Sequence, residues 1–339
     1  MRPFEFWHPR VFEAPYYLYL LLQCARRGLP IKFLAKANYA LDHGELGLGS
    51  KYSTQMAFAQ NGFLPTLLLD APQTTSALAK TIDTFAETHG YPIILKPDIG
   101  AVGKGIMKLD ERPDTSKIVG AIQGAYLLQA FTPLAFEYGV FFIRKKGINQ
   151  ITGINQKHFP TIVGNGRDTI AALAAAHYRF TDHWQMFLKY LDTERVPDER
   201  EQVRLSFIGS HTMGCKFTDD THLATRALEK ALYSICDSQP GFNFGRLDVK
   251  AESEAAFREG QFVVIEVNGV ASLPTHMFDP RNSLRRAYEI FLGHGKHLVD
   301  IATEHRDKPM TLKSYPEIWR LAKANQSLLN NMHDKAISA

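Results

Sequence analysis

Two short stretches in the C-terminal third alternate polar and apolar residues with a period of two. Gly245-Arg246-Leu247-Asp248-Val249 and Val264-Ile265-Glu266-Val267-Asn268-Gly269 each read as a β-strand, in which alternate side chains share a face. Arg246 and Asp248 then point one way on the first strand, and Glu266 and Asn268 point one way on the second. Leu247, Val249, Ile265 and Val267 fill the opposite, apolar face. Upstream, the apolar run Ile93-Ile94-Leu95 predicts a buried strand, and Ile106-Met107-Lys108-Leu109 a second one beyond a glycine-bearing loop. Further strands are expected at Ile31–Leu34, at Leu127–Phe131 and from Glu137 to Arg144. Helices are expected from about Ala14 to Arg27, from Ser50 as N-cap, over Thr169–Leu191 and His222–Cys236, with two or three more from about Arg281. Asp192–Arg204, charged and holding a proline, reads as an exposed connection.

The polar positions suggest chemistry. If the Arg246 and Glu266 strands pair, two carboxylates, an amide oxygen and a guanidinium converge. Oxygen-only ligands of this kind suit Mg²⁺, which binds a few carboxylates together with the phosphates of a nucleotide. A solvent-facing Asp or Glu on a sheet is ordinary taken singly; Arg, Asp, Glu and Asn together on strongly apolar strands are not. The upstream loop adds to this. Lys96 ends its strand, and Gly100, Gly103 and Gly105 let backbone N–H groups approach an anion closely. No Walker or Rossmann spacing is present, so a hairpin lid over a triphosphate is the reading left.

The order Lys-Pro, glycine hairpin, Glu137, Gly-Arg-x-Asp-Val and Glu-Val-Asn resembles the ATP-grasp superfamily over roughly residues 50 to 282. Within it, the likeness is to D-alanine–D-alanine ligase-like carboxylate–amine ligases. The run Gly153–Ile170 resembles the cyanophycin-synthetase branch, which usually has Gly-Asp-Gly where this chain has Gly164-Asn165-Gly166. The resemblance implies an α+β, ATP-grasp fold, two subdomains clasping ATP between antiparallel sheets. Along this chain the expected parts are a short N-terminal segment (1–49), where such ligases usually carry a longer domain, a glycine-hairpin subdomain (50–131), a subdomain with the metal and acceptor sites (132–280) and C-terminal helices (281–339). The resemblance also implies Lys51, Lys96 and Lys157 on the phosphates, Gln129 and Phe131 at the adenine linker and Glu137 on the ribose. Asp248, Glu266 and Asn268 would hold one or two Mg²⁺, with Mn²⁺ as an alternative, and Arg246 would act with Lys157 on the transferring phosphoryl group. His211 and Lys216, in a glycine-bearing loop, and Ser272 and His276, just past the metal strand, are substrate candidates.

The implied activity is an ADP-forming ligase joining a small acid to an amine through an acyl phosphate. A kinase phosphorylating a small molecule and a non-catalytic ATP-binding module are the alternatives.

Bulk properties narrow this little. With 45% hydrophobic and 22% charged residues, the 339-residue chain is that of an ordinary globular protein. A net charge of +4 without a basic, aromatic-interleaved stripe argues against nucleic acid. Cys24, Cys215 and Cys236 are too scattered for a disulfide framework or a zinc site, which fits a cytoplasmic protein. No signal peptide is visible, and Tyr16–Leu22 falls far short of the ~20 apolar residues of a membrane span. A helix docked on the core is the simplest reading of that stretch, with a membrane-surface or homodimer element as the alternative.

Overall fold

A computed structural model describes residues 3–47, 49–70, 74–100, 103–122, 124–180, 185, 191–211 and 214–333. The first part of the chain runs α1 (Pro9–Arg26), α2 (Lys51–Met56), β1 (Thr66–Leu69), α3 (Thr75–His89), β2 (Ile93–Pro97), β3 (Met107–Leu109), α4 (Thr115–Ala121) and β4 (Tyr126–Ala130). Next come β5 (Phe136–Lys145), β6 (Ile148–His158), β7 (Thr161–Val163), α5 (Ile170–Ala176), β8 (Gln202–Arg204) and β9 (Lys216–Asp219). The chain closes with α6 (Arg226–Asp237), β10 (Phe244–Ala251), α7 (Glu254–Arg258), β11 (Val263–Asn268), α8 (Leu284–Glu304) and α9 (Tyr315–His333). The fold is α+β with antiparallel sheets, as the resemblance implied.

Packing divides the chain into two units. The first unit takes Met1–Pro65, Thr132–Gln156 and Phe217–Gln326; the second takes Thr66–Phe131, Lys157–Lys216 and Ser327–Ala339.

The first unit is built on a five-stranded sheet in the order β11-β10-β5-β6-β9. One face is apolar throughout. Tyr138, Val140 and Phe142 of β5 and Leu247 and Val249 of β10 are buried there against Leu228, Leu232 and Phe257 from α6 and α7. The other face changes character along its length. Ile143 and Phe244 are covered by α1 and α8 through Phe12, Tyr16 and Phe291. Beyond them the same face turns polar: Phe141, Gly139 and Glu137 on β5 lie opposite Arg246, Asp248 and Lys250 on β10.

The second unit carries a four-stranded sheet, β1-β4-β2-β3, packed on α3 and α4 through Leu78, Ile82 and Ile118, and a small β7–β8 pair. In the turn after β7, Asn165 accepts from the N–H groups of Arg167 and Asp168 at 3.1 and 2.9 Å. It is a turn-forming Asx residue here.

Several sequence expectations need correction. Ile31–Leu34 is no strand but the start of a 3₁₀ helix, Ile31–Asn38, entered from Pro30. The first helix begins earlier, at Pro9, whose missing N–H costs nothing at a helix start. Helix α5 stops at Ala176, where His177 turns extended and stacks on Phe180; Trp184, Phe187 and Leu188 lie outside the described residues. Helix α6 starts at Arg226, because Thr225 rather than a residue near His222 caps it. Finally, Ile265 does not join Leu247 and Val267 in the core. The β10–β11 register shifts so that Asp248 faces Glu266 while Val249 faces Val264, leaving Ile265 as the extra residue of a bulge. Val264 takes the buried place instead.

One polar cluster fixes the start of β10. Asn38 is fully buried; its Nδ2 donates to the Phe244 carbonyl at 2.7 Å, and its Oδ1 accepts from Asn243 and Phe244 N–H at 2.9 and 3.0 Å. Asn243 reciprocates, its Nδ2 donating to the Ala37 carbonyl at 2.9 Å. Replacing Asn38 by leucine keeps the bulk and orphans three backbone groups. At roughly 1–3 kcal/mol per buried unsatisfied group, Asn38→Leu should lower unfolding free energy by about 3 kcal/mol or more in guanidinium titrations. Half-buried Asn165→Ala should cost under about 1 kcal/mol in the same assay. A loss below that figure for Asn38→Leu would show that the cluster is not a structural anchor.

Candidate functional site

In the first unit the predicted residues come together where strand register demands. On β10 and β11, Arg246 lies opposite Asn268 and Asp248 opposite Glu266. Arg246 grips Asp248 with two bonds, Nε to Oδ1 at 2.7 Å and Nη2 to Oδ2 at 2.9 Å. Asn268 Nδ2 approaches the same carboxylate at 3.4 Å. Burial works against the Arg246 charge, but Asp248, backed by Glu266 and Glu137, outweighs it and raises the guanidinium pKa further. Its guanidinium also lies 5.9 Å from the Phe141 ring centre. Gly139 makes room for this arrangement. A Cβ there would stand 2.4 Å from Asn155 Oδ1, 3.0 Å from Arg246 Cδ and 3.2 Å from Asp248 Oδ1.

Around this centre stand further charges. Lys51, at the start of α2, reaches Glu266 at 3.6 Å. Glu137 faces Lys250 across the β5–β10 pair, with 3.9 Å between charged atoms, and both are buried. Glu45 accepts from the Gly269 N–H at 3.0 Å and from the Thr54 hydroxyl, and burial raises its pKa despite those bonds and Lys51. Neighbouring backbone bonds, Val270 to Gly44 and Ala271 to Glu45, tie the loop after β11 to the same segment.

Ser272 and His276 lie in that loop and its sequel. The Ser272 hydroxyl donates to the Gly269 carbonyl at 2.8 Å, and its own carbonyl meets buried His294 Nε2 at 2.9 Å. His276 is buried, stands 5.1 Å from Phe141 ring to ring, and is pushed down to about pH 4 in its pKa by burial. Both histidines are therefore neutral near pH 7. Next to His276, Thr275 donates to buried Asn155 at 2.9 Å.

The second unit holds another group. Buried Lys96, on β2, donates to Gln129 Oε1 at 2.9 Å, and Gln129 Nε2 donates to Thr66 at 3.0 Å. Residues 93–95 and 107–109 pair as antiparallel strands on either side of the glycine segment; Ala101 and Val102 lie outside the described residues. Gly103 and Gly105 have φ of +77° and +69°, and a Cβ on Gly103 would strike Ile208 at 2.3 Å. Gly100 is not in that region of φ. Phe131 follows β4, with the Lys108 ammonium 5.0 Å from its ring. Lys157 is buried near the end of β6. His211 and Lys216 flank the turn at Gly214, with Thr212 and Met213 outside the described residues.

Four residues at the first site are absent from the sequence reading. Lys250 and Gly139 were accessible to it, since each continues an alternation already noted, from Asp248 and from Glu137. Asn155 lies inside a recognised segment with nothing to single it out. Glu45 has no local signal, because its place depends on Gly269, distant in sequence.

Among the described residues no three His, Cys, Asp or Glu side chains cluster so as to hold a metal, so the candidate set is two carboxylates and one amide. No described helix is long and apolar enough to cross a membrane.

No family model and no curated protein matches the chain. Among solved structures it is similar to carboxyaminoimidazole ribonucleotide synthase from Aspergillus clavatus, at 10% identity and TM-score 0.39, covering 65% of this chain and 44% of that one. It is similar to D-alanine–D-alanine ligase from Helicobacter pylori, at 14% identity and TM-score 0.38, covering 75% and 60%. D-alanine–D-alanine ligase from Bacillus anthracis gives 11% identity and TM-score 0.41, covering 81% and 68%. The chain thus spans less than two thirds of the length of the first two.

Proposed function

We propose that the chain is a Mg-ATP-dependent carboxylate–amine ligase that forms ADP and an amide or peptide bond by way of an acyl phosphate. The observation that carries this reading is the register of β10 and β11, which sets Arg246, Asp248, Glu266 and Asn268 on one polar stretch of sheet with Gly139 clearing the space above it.

The chemistry has two displacements. A carboxylate oxygen of the acid attacks the γ-phosphorus of ATP, the bond to the bridging oxygen breaks, and ADP leaves. The amine nitrogen then attacks the acyl carbon, the bond to the phosphate oxygen breaks, and nitrogen loses a proton to water. Such phosphoryl transfer is governed by positioning and by stabilisation of charge on the transferring oxygens. The all-oxygen set Asp248, Glu266 and Asn268 suits Mg²⁺, with Mn²⁺ as a substitute, and the bound cation neutralises phosphate charge. In this reading Arg246, anchored to Asp248 through Nε and Nη2, offers its remaining N–H donors to the transferring group, a role a point charge fills poorly. Lys51, Lys96 and Lys157 contact phosphates, Gln129 and Phe131 border the base, and Glu137, steadied by Lys250, takes the ribose hydroxyls.

Screening acids and amines for ADP release tests the reaction: release should require both partners. Hydroxylamine in place of the amine should trap the activated acid as a hydroxamate. Arg246→Lys is the informative variant, because alanine would leave the buried Asp248 carboxylate unpaired. It should bind Mg-ATP within a few-fold of wild type and lose on the order of 10²–10³ in turnover. A stable phosphorylated alcohol, with no hydroxamate from any acid, would instead identify a kinase.

Lys96→Ala should weaken ATP binding about tenfold or more in calorimetry, while the lost bond to Gln129 costs roughly 1–3 kcal/mol of stability. Equal affinity in the two proteins would remove Lys96 from the nucleotide site.

A further inference from the structure

Helix α1 is apolar on two sides. Phe12, Tyr16, Leu20 and Cys24 are buried and belong to the core shared with α8. The outer side is exposed: Val11 by 63%, Leu18 by 58%, Leu21 by 52% and Leu22 by 50%. Exposed Ala14, Pro15 and Ala25 complete that side. These positions recur at seven-residue intervals, 11-18-25, 14-21 and 15-22. At 100° per residue they form one stripe about 120° wide that contains no charge. A stripe of this kind is the seam of a packed helix pair.

We propose that it is covered by a second copy of α1, running antiparallel, with the two-fold axis passing through Leu18. The order of side-chain sizes carries the choice of partner. Reversed about Leu18, the stripe is complementary to itself: Val11 meets Ala25, Ala14 meets Leu21, Pro15 meets Leu22, and Leu18 meets its own copy. Every small residue faces a large one, as interdigitating helices require. A symmetric pair must be self-complementary in this way, because an isologous interface brings each patch against its own reverse. A membrane surface imposes no such order. The exposed charges at the ends, Arg10 and Arg26, fall on opposite flanks of the pair and stay in water, and the opposed helix dipoles attract.

The area fits a modest dimer. With exposed Tyr17 on its margin, the stripe presents roughly 600 Å² of apolar surface, at the upper end for a monomer. Two copies therefore bury about 1,200 Å², the lower end of specific interfaces. The pairing is independent of the ligase reading, since none of its residues belongs to the candidate site.

Sedimentation velocity on the whole chain at about 1 to 100 µM, a range matched to micromolar affinity, should show a monomer–dimer equilibrium. Leu18→Glu/Leu22→Glu should be monomeric throughout, with an unchanged circular dichroism spectrum and melting temperature. Leu18→Cys should cross-link to a dimer under mild oxidation, whereas Arg26→Cys, eight residues from the axis and so about 24 Å from its own copy along the pair, should not. A wild type that is monomeric at the highest concentration overturns the proposal, as does a dimer that survives the double substitution or cross-links equally through Arg26→Cys. A monomer that sediments with anionic phospholipid vesicles, and loses this with the double substitution, overturns it in favour of a membrane surface.

Discussion

The carboxamide of Asn38 holds the first unit together where its chemistry begins. It closes hydrogen bonds to both sides of the chain at Asn243 and Phe244, two residues before Arg246. A carboxamide can do this because it offers a donor and an acceptor in one plane. Hydrophobic contact alone would let β10 slide, and a slip of one residue would turn Arg246 and Asp248 into the apolar core. The stretch before α2 therefore acts as part of the sheet's scaffolding. Its next turn supplies Glu45, which does for the end of β11 what Asn38 does for the start of β10.

The polar stretch of sheet is electrostatically self-contained. Arg246 and Asp248 neutralise one another, Lys51 stands by Glu266, and Lys250 by Glu137. The buried pairs among them, Arg246–Asp248 and Lys250–Glu137, are costly to break, since the remaining charge has no solvent to turn to. Pairing also keeps each group charged and fixed in direction, the condition for stabilising charge without reorganisation.

The strands, and the polar residues that alternate along them, were legible from sequence because a period of two is a local property. Arg246, Asp248, Glu266 and Asn268 were found in this way, Glu137 from the resemblance alone, and the pairing of β10 with β11 puts the first four together. The same rule failed at Ile265, since a bulge breaks the alternation and nothing in Val263–Val267 announces it. It failed at Ile31–Leu34, where four residues are too few to tell a strand from a 3₁₀ turn. Long-range partners stayed invisible: no spacing rule links Glu45 to Gly269 or Asn38 to Phe244. The α+β class was expected from the motif order and not from periodicity, which cannot say how strands are joined.

The first unit's sheet draws its strands from separate passages of the chain, with Asn38 and Asn243 meeting across 205 positions. No single cut isolates it. A fragment ending after Phe131 lacks every strand of that sheet, and one starting at Thr132 lacks the asparagine that sets its register. Folding must bring the ends of the sequence together before the sheet gains its anchor, which places the loop-closure cost early and favours slow, late-committing folding. For anyone dividing this protein for expression, the two halves of the gene are not two halves of the molecule.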